Sequence, residues 1–326
     1  MIAEKEVVME QKRLGNTGIS VSRIGFGVLP IGPSQLALPV EEGAEVIRYA
    51  LRHGINFIDT AQYYRAYPYI SRALEEGEFQ DVVLCSKSLA CDYEGMMDAI
   101  EEARTTLNRD VIDIFLMHEV RSGQLEERRE AWLALQDARA QGMVRAIGLS
   151  THHVDITAAA AAMEELDVVF PLINCAGLGI RKGNSFATRE EMLEAISLCH
   201  QAGKGVFSMK AFGGGNLTSR YQEALDYVCS RAEIDSVMIG FGSTAEIDDL
   251  LRYLDGTMEP TYNPDVSGKR VYVNQEDCEG CGACKRACPA GAIFYNENGL
   301  AEVDHTVCLT CGYCSPVCPV RAIIMY

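Results

Sequence analysis

Two cysteine runs near the C-terminus carry the clearest chemistry in this sequence. The first reads C-E-G-C-G-A-C-K-R-A-C-P from Cys278 to Pro289, the second C-L-T-C-G-Y-C-S-P-V-C-P from Cys308 to Pro319. Both follow C-x2-C-x2-C-x3-C-P, a spacing that suits a pair of [4Fe–4S] clusters. A cubane needs four thiolates, and the two-residue gaps let three sulfurs of one tight loop converge on it. The fourth cysteine of each run reaches the other cluster. Cys278, Cys281, Cys284 and Cys318 are therefore expected to hold one cluster, and Cys308, Cys311, Cys314 and Cys288 the other. Zinc knuckles and disulfides fit poorly. Zinc sites take their ligands as two pairs, whereas a third evenly spaced cysteine and a closing proline occur here twice over.

A second set of reactive side chains lies far upstream, at the ends of short apolar runs: Asp59, Tyr64, Lys87 and His118. Each has a bland reading alone, as a cap, a structural phenol, a solvated charge or a hydrogen-bonded histidine. Together they make a proton-transfer set. Tyr64 would be the acid, and Lys87 beside it would stabilise the phenolate and lower its pKa from about 10. Asp59 would fix Lys87, and His118 would orient a carbonyl oxygen.

The elements that must position these groups alternate regularly. Apolar runs at 23–27, 56–61, 82–87, 113–118, 146–150, 168–174, 205–211 and 236–242 read as strands. Amphipathic stretches at 40–53, 69–76, 93–107, 125–141, 154–166, 189–202, 219–231 and 245–254 read as helices. Glycine or asparagine closes several, as at Gly54, Asn108, Gly142 and Gly203. Eight strands each followed by a helix predict an α/β fold, a (β/α)8 TIM barrel with its chemistry at the C-terminal strand ends. An open doubly wound sheet would carry a G-x-G-x-x-G turn after its first strand. Gly25-Phe26-Gly27 leads instead into a proline-containing loop. Met9 to Ser20 reads as a hairpin plugging the barrel floor, and Asp255 to Gly268 as a linker. The expected domains are 1–262, the barrel, and 263–326, a small α+β cluster domain.

With 326 residues and a net charge of −17, the chain suits a large domain plus a small one, and its acidity argues against nucleic acid and anionic membranes as partners. No signal peptide or membrane span is evident. Of the 13 cysteines, the five outside the two runs (Cys85, Cys91, Cys175, Cys199, Cys229) are scattered through apolar segments. That pattern implies a reducing, cytoplasmic setting.

Residues 271–326 resemble the two-cluster bacterial ferredoxins over their whole length. The repeat of C-P-A-G-A-I-F-Y as C-P-V-R-A-I-I-M-Y supports this. Arg13 to Leu254 resembles the aldo-keto reductase superfamily in four segments. These are L-G-N-T-G-I-S-V-S-R-I-G-F-G (14–27), G-I-N-F-I-D-T-A-Q-Y-Y (54–64), D-I-F-L-M-H (113–118) and G-M-V-R-A-I-G-L-S (142–150). With the tail added, the whole is similar to the branch that carries a C-terminal 4Fe–4S domain. The resemblance implies a barrel that reduces aldehydes or ketones with NADH or NADPH, and assigns its catalytic tetrad to Asp59, Tyr64, Lys87 and His118.

The same resemblance points to Ser150 and Asn174 as nicotinamide contacts, but the pattern departs from the family around them. Tyr64 is followed by Arg65-Ala66-Tyr67-Pro68, Ser150 by threonine, and Asn174 by Cys175 where the family has glutamine. Gly213-Gly214 and Gly242-Ser243-Thr244 lie where a pyrophosphate is expected, after the seventh and eighth strands. Lys210 is a nearby cation for a phosphate or a substrate carboxylate. No basic residue lies in 241–249, which favours NADH over NADPH.

Three readings of the two halves follow. A nicotinamide moves two electrons together and a cluster moves one. The chain is a carbonyl reductase using a nicotinamide, with clusters serving electron exchange. Or it is a nicotinamide-independent reductase fed single electrons by its clusters. Or it is an electron carrier whose barrel is a docking scaffold. A small-molecule substrate, an electron-transfer protein partner and an anaerobic host are expected. Tyr63, Tyr67, Tyr69 and Phe212 suggest an apolar or ring-containing ligand at the mouth.

Overall fold

The computed structural model describes residues 9–325, apart from 34, 80, 266–269, 276, 289, 309–311, 316 and 321. A short antiparallel hairpin, β1 (Gln11–Arg13) and β2 (Ser20–Ser22), precedes the barrel strands β3 (Ile24–Gly27), β4 (Phe57–Asp59), β5 (Val83–Ser88), β6 (Ile112–Met117), β7 (Val144–Thr151) and β8 (Val168–Pro171). A two-residue hairpin follows, β9 (Arg181–Lys182) with β10 (Ser185–Phe186), and then β11 (Gly205–Ser208) and β12 (Ser236–Gly240). Strands β3 to β8, β11 and β12 form a closed parallel barrel. Around it lie α1 (Val40–Arg52), α2 (Tyr67–Leu74), α3 (Tyr93–Thr106), α4 (Gln124–Glu127), α5 (Arg129–Ala140), α6 (Val154–Ala162), α7 (Arg189–Gln201), α8 (Tyr221–Cys229) and α9 (Thr244–Leu254). Local chemistry starts several of these helices: Asp92 accepts the Gly95 N–H at 2.8 Å, and Thr188 and Glu191 form a reciprocal capping box.

Strand alternation divides the core in two. Phe57, Val83, Cys85, Ile114, Leu116, Ala146, Val168, Phe170 and Phe207 point inward and fill the barrel. Their alternates Ile58, Leu84, Phe115, Ile147 and Val169 face the helices. Leu14, Ile19 and Val21 of the N-terminal hairpin join the inner cluster, so the hairpin closes the floor as the sequence implies.

The tail is a ferredoxin-like domain. Its strand β13 (Val271–Val273) pairs antiparallel with β16 (Ile323–Met325), and β14 (Ile293–Tyr295) pairs with β15 (Ala301–Val303). The short helix α10 (Ala283–Ala287) lies between β13 and β14 in sequence. The domain rests on the barrel mouth. Asn274 donates to the Tyr63 hydroxyl at 2.5 Å, and the backbone of Gly215 approaches Met325 so closely that an added Cβ would lie 2.7 Å from its carbonyl oxygen. Among the described residues, no helix is long and apolar enough to cross a membrane.

Candidate functional site

The barrel register brings the upstream polar set together. Asp59 pairs with Cys85, two residues before Lys87, and Lys87 pairs with Leu116, two residues before His118. A step of two residues keeps the same face, so all three side chains point inward at the mouth, above the apolar layers. Tyr64 ends the short 3-10 turn after β4. Its hydroxyl lies 3.5 Å from His118 Nε2, and its ring centroid 4.7 Å from Lys87 Nζ. The Lys87 ammonium donates to both Asp59 oxygens, at 2.8 and 2.9 Å, and to the Thr60 carbonyl at 2.5 Å. Sequence reasoning missed Arg128. It is buried and donates to the carbonyls of His118 and Ser88 at 2.7 and 3.0 Å, pinning two strand ends.

Burial dominates the electrostatics. It pushes the Tyr64 phenol up to about 12, although Lys87 pulls it down. The net shift is upward, against the expectation of a lowered pKa, because desolvation outweighs the pull of Lys87. The phenol thus holds its proton at neutral pH, as an acid must. Burial also drives the His118 imidazole well below its ordinary value, with Lys87, Arg128 and Lys210 adding. His118 is neutral, and its buried Nδ1 has no hydrogen-bond partner among the described residues. For Lys87, burial is the largest influence and opposes the charge, but Asp59, Tyr64 and Cys85 together outweigh it and the pKa rises. Asp59 is raised by burial and lowered by Lys87; the paired contacts at 2.8 and 2.9 Å favour the ion pair.

The backbone is strained next to this set. Arg65, Glu119 and Lys210 hold φ of +53°, +49° and +64°, in the left-handed region. Arg65 follows Tyr64, Glu119 follows His118, and Lys210 lies just after β11.

A cavity of about 90 Å³ opens over the tetrad. Tyr63, Tyr64, Lys87, His118 and Ser150 supply its floor from the barrel, while Asn274, Asp277, Val320 and Ile324 close it from the cluster domain. No sequence signal marked these four roof residues, because they reach the site only by docking. The expected aromatic lining is mostly absent. Tyr63 faces the cavity, but Tyr67 is buried and shares a 2.7 Å hydrogen bond with Ser86. Tyr69 donates to the Leu38 carbonyl at 2.7 Å, and Phe212 stacks on Tyr221.

The residues expected to hold a nicotinamide are otherwise engaged. Asn174 is fully buried; its amide donates to the Leu178 carbonyl at 2.9 Å, and its oxygen accepts from the backbones of Ala176 and Leu178 at 3.2 and 2.9 Å. Ser150 accepts the Glu119 N–H at 2.8 Å. Gly213 packs against Leu178 and Leu217, Gly214 is open, and neighbouring Gly215 is covered by Met325. Gly242 donates its N–H to the Glu246 carboxylate at 2.7 Å, and Ser243 caps α9, which Thr244 opens. A carboxylate of the chain thus sits at the helix N-terminus where a phosphate would go. Lys210 lines the tetrad cavity. These residues fit a dinucleotide poorly.

The thiols fit their group better. Cys278, Cys281, Cys284 and Cys318 line one small cavity in the tail. Around Cys314 the interacting thiols are Cys308, Cys284 and Cys288. Cys311 lies outside the described residues. Thiols ringing a cavity suit a cluster. Backbone N–H groups of Ala301, Ala322 and Ala292 point at the sulfurs of Cys278, Cys318 and Cys288, at 3.4, 3.2 and 3.3 Å. Such bonds tune a cluster's potential. Among the described cysteines none forms a disulfide.

Comparison with known proteins agrees with both halves. The aldo/keto reductase family model matches residues 23–228, and a 4Fe-4S dicluster domain model matches 271–325. L-galactose dehydrogenase of Arabidopsis thaliana is 23% identical over 283 residues, covering 74% of this chain and 86% of its own. Methylglyoxal reductase DkgA of Escherichia coli is 25% identical over 208 residues, covering 61% and 73%. An aldo-keto reductase structure from Bacillus halodurans shares the fold with a TM-score of 0.61 at 17% identity, over 76% of this chain and 91% of that one. The chain belongs to the aldo/keto reductase family, and is an oxidoreductase with a C-terminal 4Fe-4S dicluster domain.

Proposed function

We propose that the protein reduces a small carbonyl or related unsaturated compound at the barrel mouth, with electrons taken from its own cluster domain and not from a nicotinamide. One observation carries this reading. Val320, two residues after Cys318, lines both the thiol-ringed cavity and the cavity over the tetrad. Val320 thus borders both the expected cluster site and the place where a substrate would sit.

When bound, the clusters supply low-potential electrons one at a time. The chain's residues do the rest. Tyr64 keeps its proton at neutral pH and would give it to the substrate oxygen. Neutral His118, 3.5 Å from the phenol, would donate a hydrogen bond to that oxygen and fix its position. Lys87, held by Asp59, places a positive charge beside the developing phenolate. The docked domain roofs the mouth and limits water, which strengthens these interactions. The poor fit of Asn174 and Gly242 to a dinucleotide supports the same choice. The size of the cavity, about 90 Å³, favours a small substrate. Methylglyoxal, named in one relative, is a fitting probe.

The test uses the full chain, purified without air, with methylglyoxal as acceptor. Reduced methyl viologen should support turnover, while NADH and NADPH should neither support it nor bind. Oxidation of either nicotinamide at the viologen rate or faster would overturn the reading.

A further inference from the structure

Reduction by hydride and reduction by separate electrons differ in their demand for protons. Hydride brings hydrogen to carbon with its electrons, so a carbonyl then needs one proton, at oxygen. Electrons delivered singly bring none: C=O + 2 e⁻ + 2 H⁺ gives CH–OH. Tyr64 holds one proton, and the tetrad has no second acid, because His118 is neutral and Lys87 spends its donors on Asp59 and Thr60.

Glu119 stands where a second acid would have to be. It lines the tetrad cavity and also an outer polar cavity of about 360 Å³, which it shares with Arg121, His152 and His153. Its backbone is held in the left-handed region by the hydrogen bond from its N–H to Ser150 Oγ. That conformation is unfavourable for a residue with a side chain and persists only where the surroundings impose it. Its carboxylate lies 3.3 Å from Arg121, with the side chain 22% exposed. Glu119 therefore borders both cavities, its carboxylate accepting a hydrogen bond from Arg121.

We propose that Glu119 is the second proton donor, taking a proton from water in the outer cavity and passing it to the substrate carbon in the inner one. This rests on the electron-fed reading above. In the balanced step, the substrate gains two electrons, which a low-potential one-electron donor restores to the clusters. Its oxygen takes the Tyr64 proton and its carbon the Glu119 proton, and water reprotonates both residues. The charged surroundings suit the role. Burial raises the carboxyl above its ordinary range; Arg121 opposes this, Asp277 adds to it and Lys210 opposes it. His152 and Glu279 face the outer cavity. A raised carboxyl keeps its proton nearer neutrality, so turnover should fall as pH rises through its titration.

The experiment uses the anaerobic holoprotein, methylglyoxal and reduced methyl viologen in D2O. Wild-type product should carry solvent deuterium on the reduced carbon. Glu119→Gln should lower turnover by about 100-fold or more and lose the alkaline limb of the pH profile. Cluster bleaching by viologen should stay unchanged. On the resting protein, the infrared band of a protonated carboxyl should disappear in the same variant. Glu119→Asp should keep most of the rate and move the alkaline limb to lower pH, which covers the case in which the glutamine variant does not fold. Turnover of Glu119→Gln within about threefold of wild type, a loss well short of what general acid catalysis supplies, would overturn the assignment if deuterium still enters the carbon; so would an unshifted limb in Glu119→Asp. A product carbon free of solvent deuterium would instead overturn the electron-fed reading, and the second acid with it.

Discussion

Asp59→Asn probes the ion pair on which the tetrad is built. The Lys87 side chain is 1% exposed and that of Asp59 7%. The ammonium has three acceptors within 3 Å, two of them on Asp59. An amide supplies one oxygen and no charge, so the lysine is left either charged without a counter-ion or forced to release its proton. Removing one partner of such a pair costs about 3–5 kcal/mol. Lys87→Met should cost a similar amount, since it strands the carboxylate. The pair Asp59→Val with Lys87→Met strands neither charge. Its residual penalty is the Thr60 carbonyl left without its donor, about 1–3 kcal/mol. The double variant should therefore be more stable than the sum of the singles by about 2 kcal/mol or more. Urea denaturation under argon, followed by the fluorescence of the chain's single tryptophan, checks this. Trp132 packs against the outer core of the barrel from α5, so it reports the barrel and not the cluster domain. Slopes must agree among variants for the comparison to hold. A penalty below about 1 kcal/mol for Asp59→Asn, far less than a stranded buried charge costs, would refute the reasoning. Strict additivity in the double variant would do the same.

Two further outcomes follow from the same geometry. Tyr64→Phe should reduce turnover of methylglyoxal with reduced viologen by about 10²–10⁴-fold while the clusters still bleach at the wild-type rate; an undiminished rate would show that the phenol is not the acid. His118 is held neutral in the fold, whereas the unfolded chain protonates it near pH 6.5. Below that pH the unfolded state binds the extra proton, so stability should fall on acidification, by up to about 1.4 kcal/mol for each pH unit from this residue alone. Urea midpoints at pH 6.5 and 5.5 for wild type and His118→Gln should show a smaller loss in the variant.

Much of this architecture can be read from local pattern. The eight strand positions follow from apolar runs, and the tetrad from polar residues at the strand ends, where the two-residue register step aligns Asp59, Lys87 and His118. The cysteine spacing likewise depends only on neighbours in sequence. What local pattern cannot carry is competition between partners. Asn174 looks available until its loop turns back and takes up its amide. Gly242 looks like an anion site until Glu246, four residues on, supplies the anion. Tyr67 and Tyr69 fall at the mouth in sequence but are buried in α2. The roof of the site comes from residues more than 200 positions from Tyr63, as the Asn274 bond shows, and nothing in either segment announces the pairing. Burial, too, reverses a sign that residue types alone suggest: Lys87 beside Tyr64 reads as acidifying, yet desolvation prevails.

The three left-handed residues at the rim, Arg65, Glu119 and Lys210, have a consequence for anyone seeking a more heat-tolerant form of this protein. Each stores about 1–3 kcal/mol, so glycine there would offer an easy gain in melting temperature. Selection on thermal survival alone would find these positions early, and would loosen the chain beside Tyr64 and His118 as it did so. A library screened for robustness should hold all three fixed and look for its gains on the outer helices, where hardiness and turnover are free to improve independently.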